Sequence, residues 1–348
     1  MTSPSRSRFK LPAAILLAST ALIGCAAPGP MSPTVMALPS KGENFAVFQQ
    51  HEATCRQYAT TQTGGQSAGQ QANKSAVASA VVGTGIGAAA GAAINGLRPI
   101  AQLMFVDFFG VCGDQIVNQI AKFRYMFGGK ATTPVVIRTL FGAGLRAAGQ
   151  HSQCLYPIFT HIPGLKVVIP SSPYEAKGLM IQAIRDDDPV IFFEHKAMYD
   201  DTGEVPDEPY VIPLGKANVL RKGSDVTIVA IGRMVQFSIQ AADALAKENI
   251  KSTVIDPRTT SPLDIATILD SVAGTGRLVI VDEASPRCNI ATDISALVAQ
   301  SGFRSLKAPI KMVTPPHTPV PFAGELEDLY VPSPAKIQAA VVEVVRYH

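Results

Sequence analysis

From about residue 95 to its end, the sequence predicts an α/β protein of two stacked domains, each a mostly parallel sheet covered by helices. Three observations predict it. Apolar, β-branched runs alternate with longer stretches of helical periodicity, the pattern of strands sandwiched between helices. The series starts afresh after the Pro-bearing stretch Val205–Pro213, so the two domains join near Gly215. The chain's 348 residues, 47% apolar and 16% charged, are also enough for two separate cores.

The elements follow in order. Strands are predicted at Ile100–Val106, Thr133–Arg138, Lys166–Ile169 and Val190–Phe193, with helices at Cys112–Met126 and Pro173–Ile184. The second series has strands at Val226–Ile231, Lys251–Asp256, Arg277–Asp282 and Ile310–Val313. Its helices fall at Met234–Glu248, Asp264–Val272, Ile290–Ser301 and Pro334–Tyr347.

Composition excludes some partners. Lys and Arg total 30 against 27 Asp and Glu, a net charge of +3 with no long basic stripe, which argues against nucleic acid. The five cysteines, Cys25, Cys55, Cys112, Cys154 and Cys288, form no CxxC pair and suggest neither a zinc ribbon nor a disulfide framework. Cys112, Cys154 and Cys288 read as buried thiols of a reducing compartment.

The beginning of the chain has a different texture. Arg6, Arg8 and Lys10 precede an uncharged apolar run, Leu11 to Ile23, and then small residues around Cys25, the layout of a secretory signal. The run is short for a bilayer span. Leu22-Ile23-Gly24-Cys25 resembles a bacterial lipobox, which implies lipidation at Cys25; the alternative is an ordinary cleaved signal with an incidental Cys. Residues 26–74 read as a flexible linker, with one short amphipathic stretch carrying Phe45, Phe48, His51, Cys55 and Tyr58. Ser75 to Ile94 is uncharged and Gly/Ala-rich, with Gly83, Gly87 and Gly91 on one helical face. This resembles the glycine-zipper helix of small envelope lipoproteins, although such helices also pack inside soluble enzymes.

The body carries a denser resemblance. NGLRPIAQLMFVDFFGVCGDQIVNQIAKFRYMFGGKATTPVVIR and AAGQHSQCLYPIFTHIPGLKVVIPSSPYEAKGLMIQAIRDDDPVIFFEHK are similar to the pyrimidine-binding domain of a thiamine-diphosphate enzyme β subunit. VTIVAIGRMV, VIDPRTTSPLD, RLVIVDEA and TPPHTPVPFAGELEDLYVPSPAKI are similar to its C-terminal domain. The family is that of the 2-oxo-acid and acetoin dehydrogenases, with pyruvate, branched-chain and acetoin members. The implied fold is a truncated transketolase-like pyrimidine-binding domain (95–213) plus a transketolase C-terminal-like α/β domain (214–348). A signal peptide, a linker and the Gly/Ala-rich helix (75–94) precede them.

The resemblance also implies chemistry. An α subunit would hold the diphosphate and magnesium, the β subunit the aminopyrimidine, and a lipoyl acyltransferase core would be the further partner. Thiamine diphosphate is activated by a β-subunit Glu that shares a proton with the pyrimidine ring, which needs a carboxylate in a dry pocket. Counting back from GAAAGAAINGLRPI, that position is Val82, so the Glu is lost. Met104 and Phe108 resemble the pair that packs on the pyrimidine, with ordinary core filling as the alternative. His151 in GQHSQ resembles the histidine that faces the substrate channel, where an imidazole can give a proton. Val135, Ala183, Ile184, Asp186 and Asp188 match a potassium site of some members, the alternative being a charged helix end before Pro189. Asp282-Glu283, Asp256-Pro257-Arg258 and His317 are expected to organise turns and subunit contacts.

Two functions follow. One is a β subunit, cytoplasmic by resemblance, impaired by the loss of the Glu and of the segment before it. The other is a membrane-anchored envelope lipoprotein with an inert enzyme-derived body, or a chimera joined where both parents read Gly-Ala-Ala, including one made in sequence assembly. The missing first strand predicts an unpaired, apolar sheet edge and poor solubility.

Overall fold

The computed structural model describes residues 85–347. The signal segment, Cys25, the linker, Val82 and the first part of the Gly/Ala-rich helix lie outside them. Residues 85–94 are helical (α1). Ile86, Ala90 and Ala93 recur at helical spacing, are buried, and join Leu103, Val106, Cys112, Ile116 and Ile120 in one core. The glycine positions pack little: a Cβ on Gly91 would meet nothing, and one on Gly87 would touch the Gln115 side chain at 3.4 Å.

The first sheet has the order β1-β2-β4-β3-β8. Its strands are β1 (Ile100–Phe105), β2 (Val136–Phe141), β3 (Lys166–Val168) and β4 (Val190–His195). All four are parallel, with Val136 opposite Val190 and Ile137 opposite Ile191. β8 (Thr259–Ser261) comes from the second half of the chain and lies antiparallel on β3. The second sheet has the order β10-β9-β6-β7-β5. Its strands are β5 (Asn218–Arg221), β6 (Val226–Ala230), β7 (Ser252–Asp256), β9 (Leu278–Val281) and β10 (Lys311–Val313). Every residue of β6, β7 and β9 is buried, as expected of parallel strands covered on both faces.

Helix termini are written in the sequence. Ser172 caps α4 (Pro173–Arg185) by accepting from the Glu175 N–H, with Pro in the first turn, where a missing N–H costs nothing. Asp264 and Asn289 cap α6 (Ile265–Thr275) and α7 (Ile290–Gly302) in the same way, and Gly276 ends α6 at φ 75°. α5 (Met234–Lys247) and α9 (Pro334–Val345) complete the cover of the second sheet.

Four expectations need correction, one of them Cys288, which is exposed and not a buried thiol. The second strand begins at Val136 and runs to Phe141, later than Thr133–Arg138: the Thr133 N–H bonds to the Asp187 carbonyl, Pro134 has none, and the ladder starts only beyond them. Cys112–Met126 is not one α-helix. A 3₁₀ segment (Val106–Cys112) and a π segment (Gln115–Ile120) precede α2 (Ala121–Met126), with Gly110 and Gly113, weak helix formers, where the first gives way. The short helices α3 (Tyr156–His161) and α8 (Gly324–Tyr330), and strands β5 and β8, were not anticipated.

Candidate active site

The two sheets turn the carboxyl ends of their parallel strands toward each other. A Cβ on Gly232, after β6, would lie 3.1 Å from Ile169, after β3, and 3.4 Å from Phe141, which ends β2. Carboxyl ends are where open α/β sheets place ligands, because strands end there and loops diverge.

Buried acids of the second half hold this junction. Glu283, after β9, accepts from the Ala143 N–H at 2.7 Å and meets His195 Nε2 at 2.9 Å. Burial pushes the Glu283 carboxyl up, but His195 and the Ala143 N–H outweigh it and hold it below the ordinary value. Gly142, at φ 94°, makes room for the pair: a Cβ there would fall 2.3 Å from His195 Nε2. Asp282 accepts from the Tyr156 hydroxyl and from the N–H groups of Ala284 and Ala291. Burial raises its pKa despite these donors. Fully buried Glu327 accepts from Gly144 N, Arg146 N and Arg146 Nη1. Asp282 and Glu283, expected to organise turns and subunit contacts, thus bond the two halves of one chain.

A second acid pair lies nearby. The Ser171 hydroxyl bonds both Glu175 (2.7 Å) and Asp256 (2.5 Å), while Arg258 and Asn218 donate to the other Glu175 oxygen. Burial and the neighbouring Glu175 push Asp256 well up. Burial acts on Glu175 too, but hydrogen bonds from Asp256, Ser171 and Arg258 bring it down. Within the pair, the proton is therefore favoured on Asp256 over Glu175.

His151 and Phe108 meet just past β1, whose strand also carries Met104. The half-buried imidazole packs edge-on against Phe105 and Phe108, each ring centre 5.4 Å away. Phe108 and Met104 remain 43% and 65% exposed, so their apolar surface is open to a flat ring. Two charged neighbours escape a sequence reading. Asp107 Oδ1 accepts from both the backbone N–H and the side-chain amide of Gln153, at 3.0 Å each, and its Oδ2 is buried without a partner. Buried Lys196, after β4, donates to the His151 carbonyl and lies 5.1 Å over the Phe105 ring. Burial lowers the Lys196 pKa, partly offset by Asp107. The turn into His151 is strained, since Ala148 has φ 61° and ψ 177°, costing on the order of 1–3 kcal/mol.

The residues expected to hold potassium come together, but their oxygens already have protein donors. The Val135 carbonyl accepts from Val190 N, and that of Ala183 from Asp186 N. Arg98 Nη1 donates to the carbonyls of Ile184 (3.1 Å) and Asp186 (2.7 Å). Lys166 reaches both Asp186 carboxylate oxygens, and Asp188 pairs with Arg124 and Lys166. Among the described residues these protein donors take up part of the accepting capacity of those oxygens. No cluster of three or more His, Cys, Asp or Glu side chains elsewhere among them suits a metal.

Two sequence families match the chain: the transketolase pyrimidine-binding domain over residues 83–202 and the transketolase C-terminal domain over 215–337. The β subunit of acetoin:2,6-dichlorophenolindophenol oxidoreductase of Cupriavidus necator is 66% identical over 251 residues, covering 72% of this chain and 74% of its own. The Bacillus subtilis β subunit of the same name is 58% identical over 253 residues, 73% of this chain and 74% of its own. The 2-oxoisovalerate dehydrogenase β subunit of Bacillus subtilis is 41% identical over 257 residues, 73% and 79%. A solved split-gene transketolase, described as an inactive beta4 tetramer, superposes with a TM-score of 0.64 at 23% identity over 76% of this chain and 81% of its own, which shows the shared fold.

Proposed function

Because the chain belongs to the β subunits of the thiamine-diphosphate-dependent acetoin and 2-oxo-acid dehydrogenases, we propose that it is an acetoin-type subunit impaired in cofactor activation. The observation that carries the site reading is the His151–Phe105–Phe108 cluster at the carboxyl end of β1, with exposed Met104 beside it. The acetoin class is supported by 66% and 58% identity, against 41% for the branched-chain relative. A partner α subunit would supply the diphosphate and magnesium site, and a lipoyl acyltransferase core would receive the product. Thiamine diphosphate, when bound, supplies a thiazolium carbon that takes up the substrate carbonyl.

This chain's share would be to seat the aminopyrimidine against Phe108 and Met104 and to present His151 to the substrate, donating a proton at its ring nitrogen. Impairment follows from Val82, because an aliphatic side chain cannot share a proton with the pyrimidine. The test is acetoin-dependent dye reduction after mixing with an acetoin-type α subunit. A rate at least 100-fold below that of an intact β subunit is expected, about 2.7 kcal/mol in barrier, and Val82→Glu should recover part of it. A normal wild-type rate would refute the impairment.

A second reading concerns the N-terminal segment. Its basic, apolar and Gly-Cys order supports export and lipidation at Cys25, joined through residues 26–74 to the enzyme-like body. Among the described residues no helix is long and apolar enough to cross a membrane. Palmitate incorporation that vanishes in Cys25→Ser is the expected result, and no incorporation in an expressing bacterium would end that reading.

A further inference from the structure

We infer that Lys196 and Asp107 form a two-sided charged clamp that positions His151; the active-site meaning of this clamp rests on the reading above. The two groups grip successive parts of one turn. Lys196 donates to the His151 carbonyl, while Asp107 accepts from the Gln153 backbone N–H and amide at 3.0 Å each. The turn needs holding, because Ala148 at its entrance sits at φ 61° and ψ 177°, a conformation that only glycine adopts freely. A turn left to itself would relax and carry the imidazole off the Phe105 and Phe108 edges.

The lysine is suited to this work by burial. A Lys just after a strand is ordinarily a solvated charge, yet this one is 4% exposed, with its ammonium over the Phe105 ring at 5.1 Å. Its backbone is fixed as well: neighbouring His195 is tied to Glu283 at 2.9 Å and accepts from the Ala197 N–H at 3.2 Å. The second half of the chain thus anchors β4, β4 carries Lys196, and Lys196 sets His151. Lys196 is a positioning residue in this arrangement, since its ammonium is occupied by the carbonyl and the ring.

The experiment uses the full chain labelled with ¹³C at histidine Cε1. The chain has 6 histidines, so His151→Gln and His195→Gln variants assign the two signals. In the wild type, the His151 signal should be displaced by the ring currents of Phe105 and Phe108. Lys196→Met should return it to the position of a solvent-exposed histidine while the His195 signal stays in place; Lys196→Arg should restore the displacement. An unmoved His151 signal in Lys196→Met overturns the clamp. If that variant does not fold, Asp107→Ala releases the same turn, and an unmoved His151 signal there overturns the proposal equally. Thiamine diphosphate added to the wild type together with an acetoin-type α subunit reads the cofactor site separately: silence counts against the active-site reading and does not touch the positioning result.

Discussion

At the scale of single residues, the buried pair Glu175 and Asp256 makes the sharpest statement. Burial and its neighbour raise Asp256, so the folded chain binds that proton more tightly than the unfolded one. Its contribution is whole below about pH 4, the unfolded value, and is lost as pH rises through the raised one. Glu175 is held down, so its contribution works the other way, present above its unfolded value and lost on acidification. Asp256→Asn keeps a neutral group beside Glu175. The melting temperature of the wild type should therefore fall relative to this variant as pH rises above the unfolded value, a gap that widens until the raised value is passed. A gap independent of pH would show that Asp256 carries no proton. Little of this was legible in the sequence. Asp256-Pro257-Arg258 reads as a turn and Lys196 draws no notice, because only the meeting of two sheets removes them from water. His151, Met104 and Phe108 were named because they stand inside long strings similar to a family, and no local pattern singles them out.

At the scale of elements, buried strands were legible and short or borrowed ones were not. β6 and β9 are continuous apolar runs, so their positions follow from composition alone. β8 is Thr-Thr-Ser and pairs only because β3 offers it an edge, a fact with no local signature. The loop after α4 teaches the same lesson in charge. The run Asp186-Asp187-Asp188 invites a cation, and the fold supplies its own in Arg98, Lys166 and Arg124. Stability should accordingly be the same in potassium chloride and in choline chloride at equal ionic strength. Arg98→Ala should melt lower in choline and recover in potassium, measured by thermal unfolding. Saturable stabilisation of the wild type by potassium would contradict this account.

At the scale of the whole molecule, β1 is an outer strand of the first sheet among the described residues. β1 lies at an edge of the described sheet, with Ile100 51% and Met104 65% exposed. Such an edge offers free N–H and C=O groups along with apolar side chains. Replacing Ile100 by Lys should reduce concentration-dependent light scattering without lowering the melting temperature. Unchanged scattering would place the sticky surface elsewhere. The opposite flank of that sheet has another consequence, in the order of synthesis. A chain leaves the ribosome N-terminus first, and domains close as they emerge. Here the outermost strand beside Lys166–Val168 is Thr259–Ser261, so the front half cannot finish until the first strands of the rear half have been translated. Helpers that shield nascent chains would have to wait through that interval, and a premature stop before residue 261 would leave a front half with both flanks bare.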